Sequence, residues 1–138
     1  MHIHLSTLTF DADGQGEKSE YTYHGHYEER GDVCRLLWQR EEEGVVTKTT
    51  LSFHLQAKET VCMRQSGGCE YEMVFAVGKE HEGIYRIPGA GDFDLRVKTE
   101  RLENTLSAVG GRLRLDYEML VGGMRQRIIL TLVAETKG

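Results

Sequence analysis

Hydrophobic and polar residues alternate with a period of two along most of the chain. In the clearest stretch, Arg112 to Val121, every second residue is apolar and the residues between them are charged, apart from Leu120. Because successive side chains of a β-strand point to opposite faces, this pattern predicts a strand with one buried face and one face in water. Less regular alternation predicts further strands at Ile3 to Phe10, Lys18 to Glu29, Val33 to Glu41, Val45 to Gln56, Glu59 to Gln65, Cys69 to Val77, Glu82 to Ile87, Asp92 to Thr99 and Arg125 to Ala134.

Glycines separate these segments and predict tight turns between neighbouring strands. The chain has 16 glycines and one proline. Gly122-Gly123 predicts a two-residue hairpin turn. The same kind of turn at Gly67-Gly68 would set Arg64 opposite Tyr71 and place both on the inner face of the sheet. We expect about nine or ten strands in all, connected as successive hairpins.

The segment from 100 to 109 allows two interpretations. Leu102, Leu106 and Val109 follow the i, i+4, i+7 spacing of an amphipathic helix. The same residues, bounded by Gly110-Gly111, also fit a strand, and so short a segment cannot be decided by periodicity. We expect a strand and keep the helix as the alternative.

Many short sequential strands joined by tight turns predict an all-β fold. The two architectures that fit are a sandwich and an antiparallel up-and-down β-barrel of about 8–10 strands. A barrel removes exposed sheet edges, which favours it over the sandwich. The chain has 138 residues, the size of one domain, and we place a single barrel domain at residues 1–138. Such a barrel is either filled by its own side chains or holds one small ligand.

Several segments together resemble the YwiB-like family of small bacterial proteins of unknown function. These segments are Thr49-Thr50-Leu51, Met73-Val74-Phe75 before Gly78, Gly83 to Gly89, Leu95 to Thr99, and Leu113 through Leu120. The resemblance extends from about Ser6 to Ala134, implies a calycin-like or lipocalin-like barrel, and supplies no catalytic residue. The chain departs from the family pattern after Pro88, where Gly89-Ala90-Gly91 replaces an expected tyrosine-glycine. It also lacks the Gly-x-Trp of true lipocalins, so ligand binding follows from the fold by analogy alone.

Charge and cysteine content narrow the environment and the partners. Seventeen Lys+Arg and 22 Asp+Glu give a net charge of −5, with the two signs interleaved. Because no basic stripe is present to neutralise phosphates, neither nucleic acid nor a membrane is an expected partner. No apolar run is long enough to span a bilayer, and the N-terminus lacks a signal-peptide pattern. Three cysteines, Cys34, Cys62 and Cys69, fit free thiols, so we expect a cytoplasmic location.

Arg64 is the first candidate for a binding role, because the hairpin prediction places it inside the barrel. Five tyrosines are expected to face inward with it: Tyr21, Tyr23, Tyr27, Tyr71 and Tyr117. A buried guanidinium is costly unless a carboxylate pairs with it. In the simpler interpretation that carboxylate is a glutamate at the barrel mouth. In the functional one it belongs to a ligand, and Arg64 and the five tyrosines bind it.

Two histidine pairs raise the question of a metal site. His2 and His4, and likewise His24 and His26, place two imidazoles on one face of a strand, about 7 Å apart, which is a spacing that can chelate a transition metal. His24 and His26 share their face with glutamates and are expected to point to water. Surface histidines are the simpler interpretation, so we predict no functional metal and retain His24 and His26 as candidates.

No motif in the sequence is typical of catalysis. A nucleophile beside a base, a phosphate-binding loop and a zinc-protease motif are all missing, and the cysteines are interpreted as core thiols. We therefore expect no enzymatic activity and no cofactor. The first functional hypothesis is a barrel that binds a small apolar or weakly acidic molecule. The alternative is a packed barrel that acts as a structural or interaction module through homo-oligomerisation, with a dimer expected because the segment Arg125 to Ala134 is apolar on both faces.

Overall fold

A computed structural model of the chain describes residues 1–136, and within them ten β-strands are present. They are β1 (His2–Phe10), β2 (Gly16–Arg30), β3 (Val33–Glu42), β4 (Val45–His54), β5 (Ala57–Ser66), β6 (Tyr71–Ala76), β7 (Glu80–Ile87), β8 (Gly91–Asn104), β9 (Gly110–Val121) and β10 (Met124–Glu135). Their order in the sheet is β6-β5-β4-β3-β2-β1-β10-β9-β8-β7, and all ladder pairs are antiparallel. The predicted all-β, up-and-down barrel is confirmed.

Two seams turn this sheet into a nearly closed barrel. At the first, all nine residues of β1 pair with Glu135 to Arg127 of β10. At the second, β6 and β7 are joined by Glu70 and Arg86, whose backbones exchange two hydrogen bonds of 2.9 Å. At the other end of β6, the Ala76 N–H donates to the hydroxyl of the buried Thr99 of β8 at 3.2 Å. The β1–β10 seam is therefore a full ladder, whereas a few bonds hold the β6–β7 seam.

The turn at Gly122-Gly123 has the predicted form. Val121 lies opposite Met124, which leaves the two glycines as the loop. Both have positive φ, 54° and 86°, as a type I′ turn requires. This turn fixes the register of β9 on β10, so that Leu115 and Leu130 share the inner face.

The predicted two-residue turn at Gly67-Gly68 is wrong, and the pairing of β5 with β6 is shifted by one residue from the prediction. Four residues, from 67 to 70, connect β5 to β6, and Arg64 lies opposite Glu72. Gly67 has a φ of 93°, and a Cβ there would collide with the Val46 carbonyl. A one-residue slip moves every side chain of a strand to the other face. Arg64 therefore points outward and not into the barrel.

The segment from 100 to 109 is a strand followed by a turn, and the helical alternative is wrong. β8 continues to Asn104 past an irregularity between Thr99 and Arg101. The Asn104 Oδ1 then accepts the Leu106 N–H at 3.0 Å, which turns the chain and buries Leu106 to 2% exposure. Val109, at the tip of the turn, is 80% exposed.

The turn at Leu106 closes one end of the barrel. The Lys58 ammonium donates to the Leu106 carbonyl at 2.8 Å, and the Asn104 amide donates to the Lys58 carbonyl at 3.2 Å. These bonds join the β8–β9 connection to the start of β5. The interior at this end is densely apolar, with fully buried side chains that include Ile3, Cys34, Val61, Leu113 and Leu132. Any binding site in the barrel must therefore lie toward the other end.

Candidate functional site

A pocket of about 190 Å³ opens at the end of the barrel opposite Leu106. Inward-facing side chains from eight strands line it. They are Leu5, Thr7 and Thr9 of β1, Tyr21 and Tyr23 of β2, Trp38 and Arg40 of β3, Thr47 and Thr49 of β4, Met63 and Gln65 of β5, Tyr71 of β6, and, from the last two strands, Tyr117, Ile128 and Leu130.

Three aromatic rings form one wall of this pocket. Tyr21 stacks on Tyr23 with 6.1 Å between ring centroids, and Tyr23 stacks on Trp38 at 6.0 Å. The interplanar angles are 15° and 21°, so the three faces are nearly parallel. Tyr21 is 38% exposed and Trp38 only 5%, so the wall runs from the mouth into the interior. Such a wall suits a flat, apolar group.

Arg40 brings the positive charge to the mouth of the pocket. It lies two residues after Trp38 on β3, and the alternation Cys34, Leu36, Trp38, Arg40 carries it onto the inner face. Its guanidinium carbon lies 5.7 Å from the centre of the Tyr21 ring. The nearest carboxylate contact is Glu42, at 3.8 Å between Nε and Oε1, and both side chains are well exposed. Such an exposed pair is weak, so the guanidinium can bind another anion.

Hydroxyl and amide groups line the deeper part of the pocket. The Tyr71 hydroxyl donates to the Gln65 Oε1 at 3.0 Å, which orients both side chains. Thr49 and Tyr117 are 7% and 5% exposed. The pocket therefore combines one cation, an aromatic wall and several neutral hydrogen-bonding groups.

Burial keeps the tyrosine hydroxyls of this region protonated. Loss of solvent contact raises the pKa of Tyr71 and of Tyr117 well above that of free tyrosine. Burial also raises the pKa of Tyr23, although the charge of Arg40 opposes that shift. Tyr85, which stacks on Tyr71 at 5.4 Å between centroids, has its pKa raised by burial to about 12. At neutral pH these groups are neutral donors and acceptors, and Arg40 supplies the charge.

Four of the five tyrosines named from the sequence line the pocket: Tyr21, Tyr23, Tyr71 and Tyr117. Tyr27 lies on the inner side of the same strand as Tyr21 but outside the pocket, and its hydroxyl donates to the Glu29 Oε1 at 2.8 Å. The participation of these tyrosines in ligand binding stays a prediction.

Arg64 is not part of this site. Its side chain is 66% exposed and donates two hydrogen bonds to the Glu72 Oε2, at 2.7 Å and 3.2 Å, on the outer surface. The glutamate partner of the simpler interpretation is therefore present, but outside the barrel and not at its mouth. Arg40 was not among the residues predicted from the sequence, although its place two residues after Trp38 on a regularly alternating strand puts it on the inner face.

The other chemically active side chains lie outside the pocket. The histidines of β1 and β2 are on the outer face, where His26 Nε2 lies 3.8 Å from Glu28. Burial raises the pKa of the Cys62 thiol, so it is a poor source of thiolate. Within residues 1–136 no group of three or more histidine, cysteine, aspartate or glutamate side chains converges to hold a metal ion. The same residues include no helix long and apolar enough to cross a membrane.

Comparisons with known proteins agree with this architecture. Residues 3–128 match the model of a family described as "Domain of unknown function (DUF1934)". The structure is similar to the crystal structure of the ywiB protein from Bacillus subtilis, with a TM-score of 0.80 and 21% identity over 98% of this chain and 91% of that chain. At that identity the likeness shows the fold alone. A comparison with curated proteins found no match. The predicted family resemblance and the barrel fold are confirmed.

Proposed function

We propose that this chain, which belongs to the family described as a domain of unknown function (DUF1934), binds a small organic anion in the pocket beside Arg40. The single observation that carries the proposal is a guanidinium held next to an aromatic stack at the mouth of a barrel whose other end is closed. This arrangement supports a ligand with a flat apolar body and one carboxylate or similar group. It narrows the sequence hypothesis of an apolar or weakly acidic ligand toward the acidic class.

The size of the pocket limits the ligand. The pocket has a volume of about 190 Å³. Pockets for drug-sized molecules are larger, about 300–1,000 Å³. A fatty acid or a large cofactor therefore does not fit inside without rearrangement, whereas a single-ring carboxylate does.

Charge sets the orientation of the ligand in this proposal. The carboxylate meets Arg40 at the mouth, where water still reaches both groups and the desolvation cost is modest. The flat body then lies along Tyr21, Tyr23 and Trp38, and the buried hydroxyls of Tyr117 and Thr49 accept or donate hydrogen bonds at its far end. We infer a binding role, because the pocket combines one cation and an aromatic wall with neutral hydrogen-bonding groups.

Fluorescence of Trp38 tests the proposal directly, because it is the only tryptophan and it lines the pocket. Benzoate is a suitable probe and benzamide is its uncharged match. We expect benzoate to change the emission saturably and benzamide to bind more weakly. Arg40→Gln should weaken benzoate binding about 10- to 100-fold, the equivalent of about 1.5–3 kcal/mol for a charged hydrogen bond.

Arg64→Gln is the matched control, because it removes the same charge from the outer face of the barrel. Benzoate affinity should be unchanged in this variant. Equal affinity of benzoate for wild-type protein and Arg40→Gln would contradict the anion site. If Arg40→Gln and Arg64→Gln weaken benzoate binding equally, the affinity depends on the net charge of the protein and not on a site at Arg40.

The alternative function is self-association through the outer face of β1 and β10. Leu8 lies opposite Ile129 there, and Val133 is on the same face of β10. All three are half-buried in the single chain, and the Arg127–Asp116 ion pair, at 2.8 Å, borders them. A second copy related by a two-fold axis would place this stripe against itself.

Light scattering distinguishes this alternative from a monomer. If the stripe forms the interface, the mass should be twice that of one chain and should fall to one chain in Ile129→Lys. A single-chain mass at high protein concentration would exclude a stable dimer and leave the anion-binding proposal unaffected.

A further inference from the structure

The histidines of β1 and β2 are brought together in a way that their spacing along the chain does not show. His2 lies directly opposite His24 in the antiparallel pair, and their rings are 5.9 Å apart between centroids at an angle of 80°. His4 and His26 lie on the same outer face. Each is two residues along its own strand from the His2–His24 pair, and they lie on opposite sides of that pair. Four of the six histidines of the chain thus share one patch of surface.

The pairing geometry favours the cross-strand pair over the pairs within one strand. Met1 and Gly25 exchange two hydrogen bonds, Gly25 N–H to the Met1 carbonyl at 2.7 Å and the Met1 amino group to the Gly25 carbonyl at 2.9 Å. The neighbouring pair, His2 and His24, is therefore a non-hydrogen-bonded pair, in which side chains approach most closely. Their Cβ atoms are expected about 4.5–5.5 Å apart, against about 7 Å for His24 and His26 along the strand.

The backbone beneath this pair is firmly held. Ile3, the residue after His2, is fully buried and its side chain occupies the space where a Cβ of Gly25 would be. Together with the Met1–Gly25 bonds, this packing keeps the start of β1 against β2. The two imidazoles are thus held close together by a rigid part of the sheet, which lowers the entropy cost of bringing them onto one ion.

We propose that His2 and His24 form a bidentate site for a divalent transition-metal ion of the Zn²⁺, Ni²⁺ and Cu²⁺ class. Imidazole nitrogens suit these ions, with Zn–N distances of about 2.0–2.1 Å. Water completes the coordination shell, and Glu135, opposite His2 on β10, adds negative charge beside the site. His26 already lies beside Glu28 and is not a ligand.

Isothermal titration calorimetry of the tag-free chain with Zn²⁺ tests this site. We expect one equivalent to bind, and we expect His2→Ala and His24→Ala each to weaken it by about tenfold or more, since the loss of even a second-shell partner costs about 10- to 100-fold. His26→Ala should leave the affinity within about threefold. His54→Ala is the matched control, because His54 is an exposed histidine on β4, away from the patch.

Backbone NMR with Cu²⁺ gives a second, independent result. Paramagnetic broadening should be strongest at residues 2–4 and 22–25 and absent around His54. The proposal is overturned if no Zn²⁺ binds, if His24→Ala binds as well as the wild type, or if His26→Ala is as damaging as His2→Ala. The last result would place the site along β2 instead of across the two strands.

Discussion

The two ends of this barrel are built from the same strands, but their inward-facing side chains differ. At the closed end the interior positions carry aliphatic groups such as Ile3, Leu113 and Leu132, all without solvent exposure. At the open end the same strands present Thr7, Tyr117 and other polar or aromatic residues around a pocket. The fold thus places most of the packing at one end and most of the hydrogen-bonding capacity at the other.

Strand β4 shows this difference within a single element. Leu51 and Phe53 are 0% and 3% exposed, whereas Thr47 and Thr49, four and two residues before Leu51, line the pocket. A threonine hydroxyl in the interior stabilises less than the methyl group of valine would, unless it is hydrogen-bonded. Keeping threonines at the open end is what we expect of a site that binds a polar molecule or water.

The largest expected effect is a loss of stability at the closed end. Leu113→Ala removes a fully buried side chain from the closed half of the interior and should lower the free energy of unfolding by about 2–5 kcal/mol. Thr7→Ala, the comparison variant in the pocket, should cost about 1 kcal/mol or less. Urea unfolding of both variants measures the two values. Comparable losses would show that the two ends contribute equally to stability.

A smaller effect should appear at alkaline pH, and it arises at the open end. Burial raises the folded-state pKa of Tyr85 from 10.0 to about 12, and raises that of Tyr71 and Tyr117 as well. The folded state therefore holds these protons more tightly than the unfolded state, and the stabilisation is complete below about pH 10. It should decrease as the pH rises from there toward 12.

Phenolate absorbance, followed with circular dichroism, tests this expectation. A fraction of the six tyrosines should ionise only as the folded signal disappears. If all six ionise near pH 10 while the protein stays folded, the tyrosines of the open end are more accessible to water than the structure indicates.

Much of the fold could be predicted from alternation and turn residues. The ten strands, the antiparallel order and the Gly122-Gly123 turn follow from local patterns. The 67–70 loop could not be predicted, because the contact that requires glycine at position 67 comes from the Val46 backbone on another hairpin. That single error moved Arg64 to the wrong face.

The candidate site was predictable in part. Inward tyrosines such as Tyr23 and Tyr117 follow from alternation on their strands, and both line the pocket. Arg40 shares a face with Trp38 by the same rule, yet alternation does not tell which end of the barrel stays open. That depends on the turn at Leu106, which closes the opposite end. Hydrogen bonds with the side chains of Asn104 and Lys58 hold this turn in place.

The sequence by itself determined the class of structure and, strand by strand, which residues share a face, because a two-residue period is a local property of the chain. Tertiary structure decided the closure of β1 on β10, the pairing of His2 with His24, and the position of the pocket. These depend on loop lengths and on contacts between residues far apart in the chain. A change of one residue in a loop exchanges the inner and outer faces of a strand, so a local pattern cannot determine them.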